Sequence, residues 1–230
     1  MRLSIVIPVF NERVTLPTLL ESVDRVSLDK EILIVDDGST DGTREYLEGL
    51  ARQPGDGIRV FFHDRNQGKG AALRTGFREV AGDIVIIQDA DLEYDPQDYP
   101  ALLKPILDGR ADVVYGSRFL GGPHRVLFFW HYVGNKILTL ISNMLTNLNL
   151  SDMETCYKVF RSEVVKNLEF SSKGFDIEAE MTVKIARAGY RVYETPISYS
   201  GRDYSEGKKI TWKDAFPTLW ALIKYRFLSG

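Results

Sequence analysis

Short apolar runs rich in β-branched residues return at regular intervals through the first half of this sequence, with helix-like stretches between them. The runs are Leu3 to Val9, Glu31 to Val35, Ile58 to Phe62, Asp83 to Gln88 and Asp112 to Tyr115. Each reads as a strand buried on both faces. The intervening stretches are Thr15 to Val26, Thr43 to Arg52, Gly70 to Val80 and Pro96 to Leu107, the last with Asp95 as its cap and Pro96 at its first position. Strand alternating with helix predicts an α/β fold with a mostly parallel sheet covered on both sides.

In such a sheet ligands bind beyond the carboxyl ends of the strands, so the residues after each run carry the functional argument. They are polar: Pro8, Asn11 and Glu12 at the end of the first; Asp36 to Gly42 after the second; Arg65 to Gly70 after the third. Asp89, Ala90 and Asp91 follow the fourth run, and Gly116, Ser117 and Arg118 the fifth.

Asp89 and Asp91 lie two apart, which in extended chain points both carboxylates to one side, and Glu93 continues the alternation. Three oxygen ligands select a hard cation such as Mg2+ or Mn2+, the kind that also holds substrate phosphates. An isolated Asp-x-Asp is more often a solvated loop; the strand-end position reverses this and favours the metal. The stretch from Asp36 to Thr43 reads equally as a capped turn and as a loop whose carboxylates meet a nucleobase or ribose. Gly68, Lys69 and Gly70 open a helix, which suits either an anion or a plain glycine turn.

Together these residues resemble glycosyltransferase family 2, the inverting enzymes of the GT-A (Rossmann-like) fold. The resemblance rests on Pro8-Val9-Phe10-Asn11-Glu12, Asp36-Asp37-Gly38-Ser39, Asn66-Gln67-Gly68-Lys69-Gly70 and Asp89-Ala90-Asp91, in the family's order and spacing. It implies nucleotide recognition near Pro8, Glu12 and Asp37, and metal with diphosphate at Asp89 and Asp91. Lys69, Gly70, Asp89 and Ala90 are further donor-binding candidates, and Glu93 is the third metal candidate from the alternation. Within the family the chain looks like the polyprenyl-phosphate hexosyltransferases, through Gly116-Ser117-Arg118-Phe119, Asp152 to Lys158, and Arg202 followed by Glu206-Gly207-Lys208-Lys209. By that resemblance Arg118 faces the acceptor phosphate, and Arg202 and Lys208 close over the donor diphosphate. Asp89, Asp91 and Arg118 are then the catalytic set.

A lipid phosphate is already an anion and needs cations to position it, for which Arg118, Arg125 and Lys136 are suited. A sugar hydroxyl would need a general base, with Asp152 or Glu154 as candidates. Catalytically silent binding of a nucleotide sugar is the remaining alternative. The segment Ser198 to Lys209, with Gly201 and Gly207, reads as a lid over the donor.

With 230 residues, 44% of them hydrophobic, the chain is expected to form one large domain: a nucleotide-sugar core over 1–120 and an acceptor and membrane-interface part over 121–230. In the second part Val133, Ile137, Leu140, Ile141, Met144 and Leu148 form one helical stripe, and Trp212, Phe216, Leu219, Trp220, Ile223 and Phe227 repeat the spacing. Core packing explains such stripes as well as a membrane does. The aromatic cluster from Leu127 to Tyr132 favours a bilayer interface. So does an excess of Lys and Arg after Gly201. A net charge of −3 argues against general nucleic-acid binding. One cysteine and no apolar run of about 18 residues suit a cytoplasmic protein lying peripherally on a membrane, with an anchoring partner left open.

Overall fold

Among the described residues seven strands form one sheet; the runs expected to be buried on both faces are so except the third, Ile58–Phe62, which is half-buried at the sheet's edge. In the computed structural model, which describes residues 1–52, 57–121, 125–126, 128–202 and 215–228, strand β1 (Leu3–Val9) lies at the centre, almost wholly buried. It pairs in parallel with β2 (Lys30–Asp36) and β4 (Ile84–Ile87), and β3 (Ile58–Phe62) adds to the outer side of β2. Helices α1 (Leu16–Asp24), α2 (Thr43–Ala51) and α3 (Lys69–Arg78) connect these strands. A short 3-10 turn, Pro96–Asp98, leads into α4 (Tyr99–Leu107), and the Asp95 carboxylate accepts from Gln97 N at 2.9 Å, the expected cap. Every strand and helix expected through Ser117 is present, with ends shifted by a few residues.

The second half completes the sheet. Strand β5 (Val113–Ser117) is followed by α5 (Phe129–Thr146), β6 (Lys158–Arg161), α6 (Ser162–Asn167), α7 (Ile177–Arg187), β7 (Val192–Pro196) and α8 (Ala215–Ile223), which runs on into a π-helical turn, Lys224–Leu228. The order is β3-β2-β1-β4-β6-β5-β7. Strand β6 inserts antiparallel between β4 and β5, and β7 returns parallel to β5 at the edge. The loop after Asp152 is thereby drawn up beside the loop after β4, which brings the second half of the chain to the ligand-binding rim.

Helix α5 buries two polar residues most deeply and turns apolar ones to both core and surface. Thr139 and Ser142 are its buried residues, while Ile137, Leu140 and Met144 from the apolar stripe are exposed. Of the rest of the stripe, Ile141 and Leu148 pack against the core and Val133 is half-buried; Leu138 and Leu145, outside the stripe, pack against the core as well. In α8 the buried residues are Thr218, Ala221 and Leu222, and Phe216, Trp220 and Ile223 face outward with Phe227 beyond them. Trp212 lies outside the described residues.

Candidate active site

The carboxyl ends of β1 and β2 are tied together by their own polar residues. Asn11 N donates to Ser39 Oγ at 2.9 Å, Thr40 N to Asn11 Oδ1 at 2.8 Å, and Glu12 N to Thr43 Oγ1 at 3.1 Å. Asp41 accepts from Thr43 N and its hydroxyl at the start of α2, so this part of the loop acts as a turn and cap. Asp37, expected to meet the donor, has its carboxylate occupied. It accepts from Gln67 N at 2.9 Å and Gly68 N at 2.7 Å, and His63 Nδ1 lies 2.7 Å away. With a nearly buried side chain, Asp37 organises two loops and does not present an open carboxylate to a nucleobase. Pro8 and Glu12 flank these loops, with Glu12 accepting from the Thr15 hydroxyl at 2.7 Å.

The anion-cradle reading of the α3 start is also corrected. Gly70 N donates to Lys173 O at 2.7 Å, and a side chain on Gly68 or Gly70 would strike the 172–173 backbone. These glycines permit close packing of two backbones. The N–H groups of Gln67, Gly68 and Gly70 already have protein acceptors. Lys69 points elsewhere, 2.9 Å from Asp89 and 3.2 Å from Glu178. Burial opposes its charge, but Asp89 and Glu178 hold it well above the usual lysine value. Glu178 in turn binds the fully buried Lys158, whose ammonium also donates to Met153 O at 3.1 Å. The chain Lys158, Glu178, Lys69, Asp89 thus alternates in charge from the sheet to its rim.

The metal-loop carboxylates have charge partners that their spacing did not disclose. Arg202 Nη2 lies 2.8 Å from Asp91, its Nε lies 3.4 Å from Glu93, and its Nη1 lies 3.6 Å from Glu12. Tyr199 donates its hydroxyl to Glu93 at 2.8 Å. Leu92 has a left-handed φ of 63°, which breaks the extended alternation that was to put Glu93 beside Asp89 and Asp91. Among the described residues no three His, Cys, Asp or Glu side chains are arranged to hold a metal ion together, so Asp89, Asp91 and Glu93 do not form the three-ligand group that their alternation implied. Burial, then Asp89 and Glu93, push the Asp91 carboxyl up to about 7 against the pull of Arg202. Ala90 is buried between the two aspartates.

The three expected acceptor cations lie along one wall. Arg118 does not present an open fork: Nε and Nη2 bind the buried Asp152 at 2.6 and 2.7 Å. Burial opposes this charge too, and Asp152 holds Arg118 well above its ordinary value. Asn135 donates to Asp152 at 3.3 Å, and Glu194 fixes the loop by accepting from Ser151 N at 2.8 Å and Asp152 N at 3.2 Å. Lys136 donates to Ser151 O at 2.9 Å with its ammonium 4.5 Å from the centre of the Phe119 ring and 5.5 Å from that of Tyr132. Arg125 donates from its backbone N to Tyr199 O at 2.9 Å and from Nη1 to Gly201 O at 3.2 Å.

Tyr199 joins the two sets of charges, with its hydroxyl on Glu93 and its ring 5.2 Å from the Arg118 guanidinium. The expected lid is anchored over its first residues: Ser198 N donates to Asp98 at 2.8 Å and Ser200 N to Glu93 O at 2.9 Å. Its remainder, with Lys208 and Lys209, lies outside the described residues. His63, Glu178, Glu194 and Tyr199 were not singled out from sequence. Glu178 alone carries a signal, an acid inside a run where Ile177, Ala179, Met181 and Val183 are apolar.

Comparison with known proteins matches residues 4–169 to the family model described as glycosyl transferase family 2. An undecaprenyl-phosphate mannosyltransferase of Micrococcus luteus is 30% identical over 218 residues, covering 90% of this chain and 87% of that protein. A polyprenol monophosphomannose synthase of Mycolicibacterium smegmatis is 30% identical over 214 residues, covering 90% and 80%. Among solved structures, glucosyl-3-phosphoglycerate synthase from Mycobacterium tuberculosis, in complex with Mn2+, uridine diphosphate and phosphoglyceric acid, superposes with a TM-score of 0.75 at 19% identity. That likeness covers 99% of this chain and 79% of the other, and shows a shared fold.

Proposed function

The chain belongs to glycosyl transferase family 2, and from that premise we propose that it transfers a hexose, mannose or glucose, with inversion from a nucleotide diphosphate-sugar to a polyprenyl phosphate. The observation that carries this reading is the pairing of two charged sets across Tyr199: carboxylates with Lys69 and Arg202 on one side, and Arg118, Arg125 and Lys136 on the other. A donor diphosphate suits the first set once a divalent cation is present, and an acceptor phosphate suits the second. The names of the Micrococcus and Mycolicibacterium relatives support the same acceptor class.

Asp89 and Asp91 fit a hard cation, Mg2+ or Mn2+, because they are two oxygen-bearing side chains in one loop at the sheet's rim; burial first, and then the charges of Asp89 and Glu93, raise the pKa of Asp91 against the pull of Arg202. When bound, that cation would neutralise charge developing on the departing diphosphate. Lys69 and Arg202 would add to it, and Pro8, Glu12 and the Asp37-braced loop would border the nucleoside. The acceptor phosphate oxygen attacks the anomeric carbon as the bond to the diphosphate breaks, so no proton has to be removed from the nucleophile. Asp152, the candidate base for a hydroxyl acceptor, is engaged by Arg118. For Arg118 to meet the acceptor, the phosphate would have to share its guanidinium with Asp152.

Among the described residues no helix is long and apolar enough to cross a membrane. We place the protein at the cytoplasmic membrane surface through the outward residues of α5 and α8. To test the function, the protein would be incubated with Mn2+ or Mg2+, a panel of sugar nucleotides and a short polyprenyl phosphate, and products identified by mass spectrometry. A hexosyl lipid phosphate is expected, lowered at least about 100-fold by Asp91→Asn in a variant of unchanged circular dichroism. Equal transfer to a polyprenol lacking the phosphate would overturn the acceptor assignment.

A further inference from the structure

The Lys69 ammonium stands between two carboxylates and is hydrogen-bonded to one of them. It lies 2.9 Å from Asp89 Oδ1 and donates to Asp89 Oδ2 at 3.1 Å, whereas Glu178 Oε1, 3.2 Å away, receives no hydrogen bond. Three elements converge here: Lys69 begins α3, Glu178 lies in the first turn of α7, and Asp89 follows β4. Glu178 is buried and is held from behind through its other oxygen, Oε2, which binds Lys158. The three donors of the Lys158 ammonium are taken by Met153 O, Thr155 O and that oxygen, so Lys158 has none left for Oε1. A buried carboxylate oxygen without a donor is costly, and here the nearest ammonium is committed to a different acid.

Asp89 is one of the two carboxylates proposed to hold a divalent cation, and an ammonium close to both of its oxygens stands in that cation's way. Were Lys69 to release Asp89, its largely buried charge would need another anion at once, because a buried charge without a partner is strongly unfavourable. Glu178 Oε1 meets that need: it is within reach, lacks a donor, and is fixed in place by Lys158. Resting on the proposed metal-dependent transfer, we infer that Glu178 is a positioning residue of the metal site, which receives the Lys69 ammonium from Asp89 when a divalent cation takes Asp89. The exchange transfers no proton and breaks no covalent bond. Lys158 stays on Oε2, Lys69 turns about its terminal side-chain bonds onto Oε1, and each ammonium keeps a carboxylate.

An amide at this position cannot take the same part. Glu178→Gln leaves one acceptor oxygen, which Lys158 claims, and turns an NH2 group toward Lys69, donor against donor. Mn2+ alone, without nucleotide, would be titrated into the parent, Glu178→Gln, Lys69→Met and the double variant, with the free ion followed by electron paramagnetic resonance and folding checked by circular dichroism. Glu178→Gln should raise the Mn2+ Kd about tenfold or more where Lys69 is present, the weight of one hydrogen bond to a charged group. In the Lys69→Met background the same change should cost no more than about threefold, since only a nearby negative charge is lost there. Equal weakening in both backgrounds would mean that Glu178 acts through its charge or the fold alone, and would overturn the inference, as would no weakening in either. If the buried variants do not fold, a crystal structure of the parent with Mn2+ decides: Lys69 is expected on Glu178 Oε1 and detached from Asp89, and Lys69 still paired with Asp89 overturns it. A parent that binds no Mn2+ removes the metal reading and this inference together, whereas a parent that binds Mn2+ with no difference between the two backgrounds removes this inference alone.

Discussion

At the scale of single residues, strand-end position found the carboxylates and tertiary pairing decided what they do. Asp89 and Asp91 were legible because polar residues directly after buried strands face the rim of an α/β sheet. Their partners were not, since Lys69 is 20 positions and Arg202 111 positions away along the chain. The pairing of Asp37 with Gln67, Gly68 and His63, and of Arg118 with Asp152, was not legible either, because a sequence does not say which buried donor or acceptor closes on a charge first. Glu154 gives a pH-dependent consequence. Burial first, then Glu178 and Asp152, lift its carboxyl from an ordinary 4.5 to about 7, while Lys158 and Arg118 pull it down. Between those values the folded state holds a proton that the unfolded chain has released, so this residue's contribution is fully present below the lower value and is lost as pH rises through the upper one. Glutamine mimics the protonated form. Glu154→Gln should therefore match the parent at pH 5 and exceed its stability at pH 8 by about 2 kcal/mol, read by urea unfolding. An equal difference at both pH values would mean that burial does not hold the proton.

At the scale of elements, periodicity located α5 and α8 but could not orient them, because a helix apolar over much of its circumference satisfies core and interface alike. In α5 the most deeply buried residues are Thr139 and Ser142, Ile141 and, just past the helix end, Leu148 pack against the core, and Leu140 and Met144 are 59% and 76% exposed, so its apolar stripe serves the core only in part. Two strands escaped sequence reading for physical reasons. Strand β6 has four residues with a charge at each end, too few for an alternation to register. Strand β7 ends on Pro196, which removes a ladder donor and suits only an edge, where the strand is found. The outward residues lead to a membrane prediction. Met144→Ser with Trp220→Ser should weaken co-sedimentation with phosphatidylglycerol vesicles about tenfold or more, since two large apolar side chains no longer enter the interface. Both side chains are more than half exposed, so thermal stability should hardly change. Undiminished sedimentation would mean that this face serves something other than lipid.

For the whole molecule, the sheet order decides which distant segments share one rim. β6 is inserted beside β4, and β7 returns beside β5 and delivers Tyr199 and Arg202 to the loop after β4. Arg202 there contacts Asp91, Glu93 and Glu12, three acids from two loops, and so stands where a cation is wanted. If the proposed metal binds there, Arg202 would compete with it for Asp91 while favouring the anionic diphosphate that the metal would bring. These roles have opposite signs in one variant. With Arg202→Ala, Mn2+ alone should bind about tenfold tighter, because a charge-assisted competitor has gone and the carboxylates are left to repel one another. Nucleoside diphosphate added at saturating Mn2+ should bind about tenfold weaker, because a cation that would meet its phosphates is missing. Free Mn2+ followed by electron paramagnetic resonance gives the first quantity, and calorimetry of the nucleotide gives the second. If both affinities fall together, Arg202 is holding the loop in shape; if they move in opposite directions, it exchanges a carboxylate partner for a phosphate as the donor arrives.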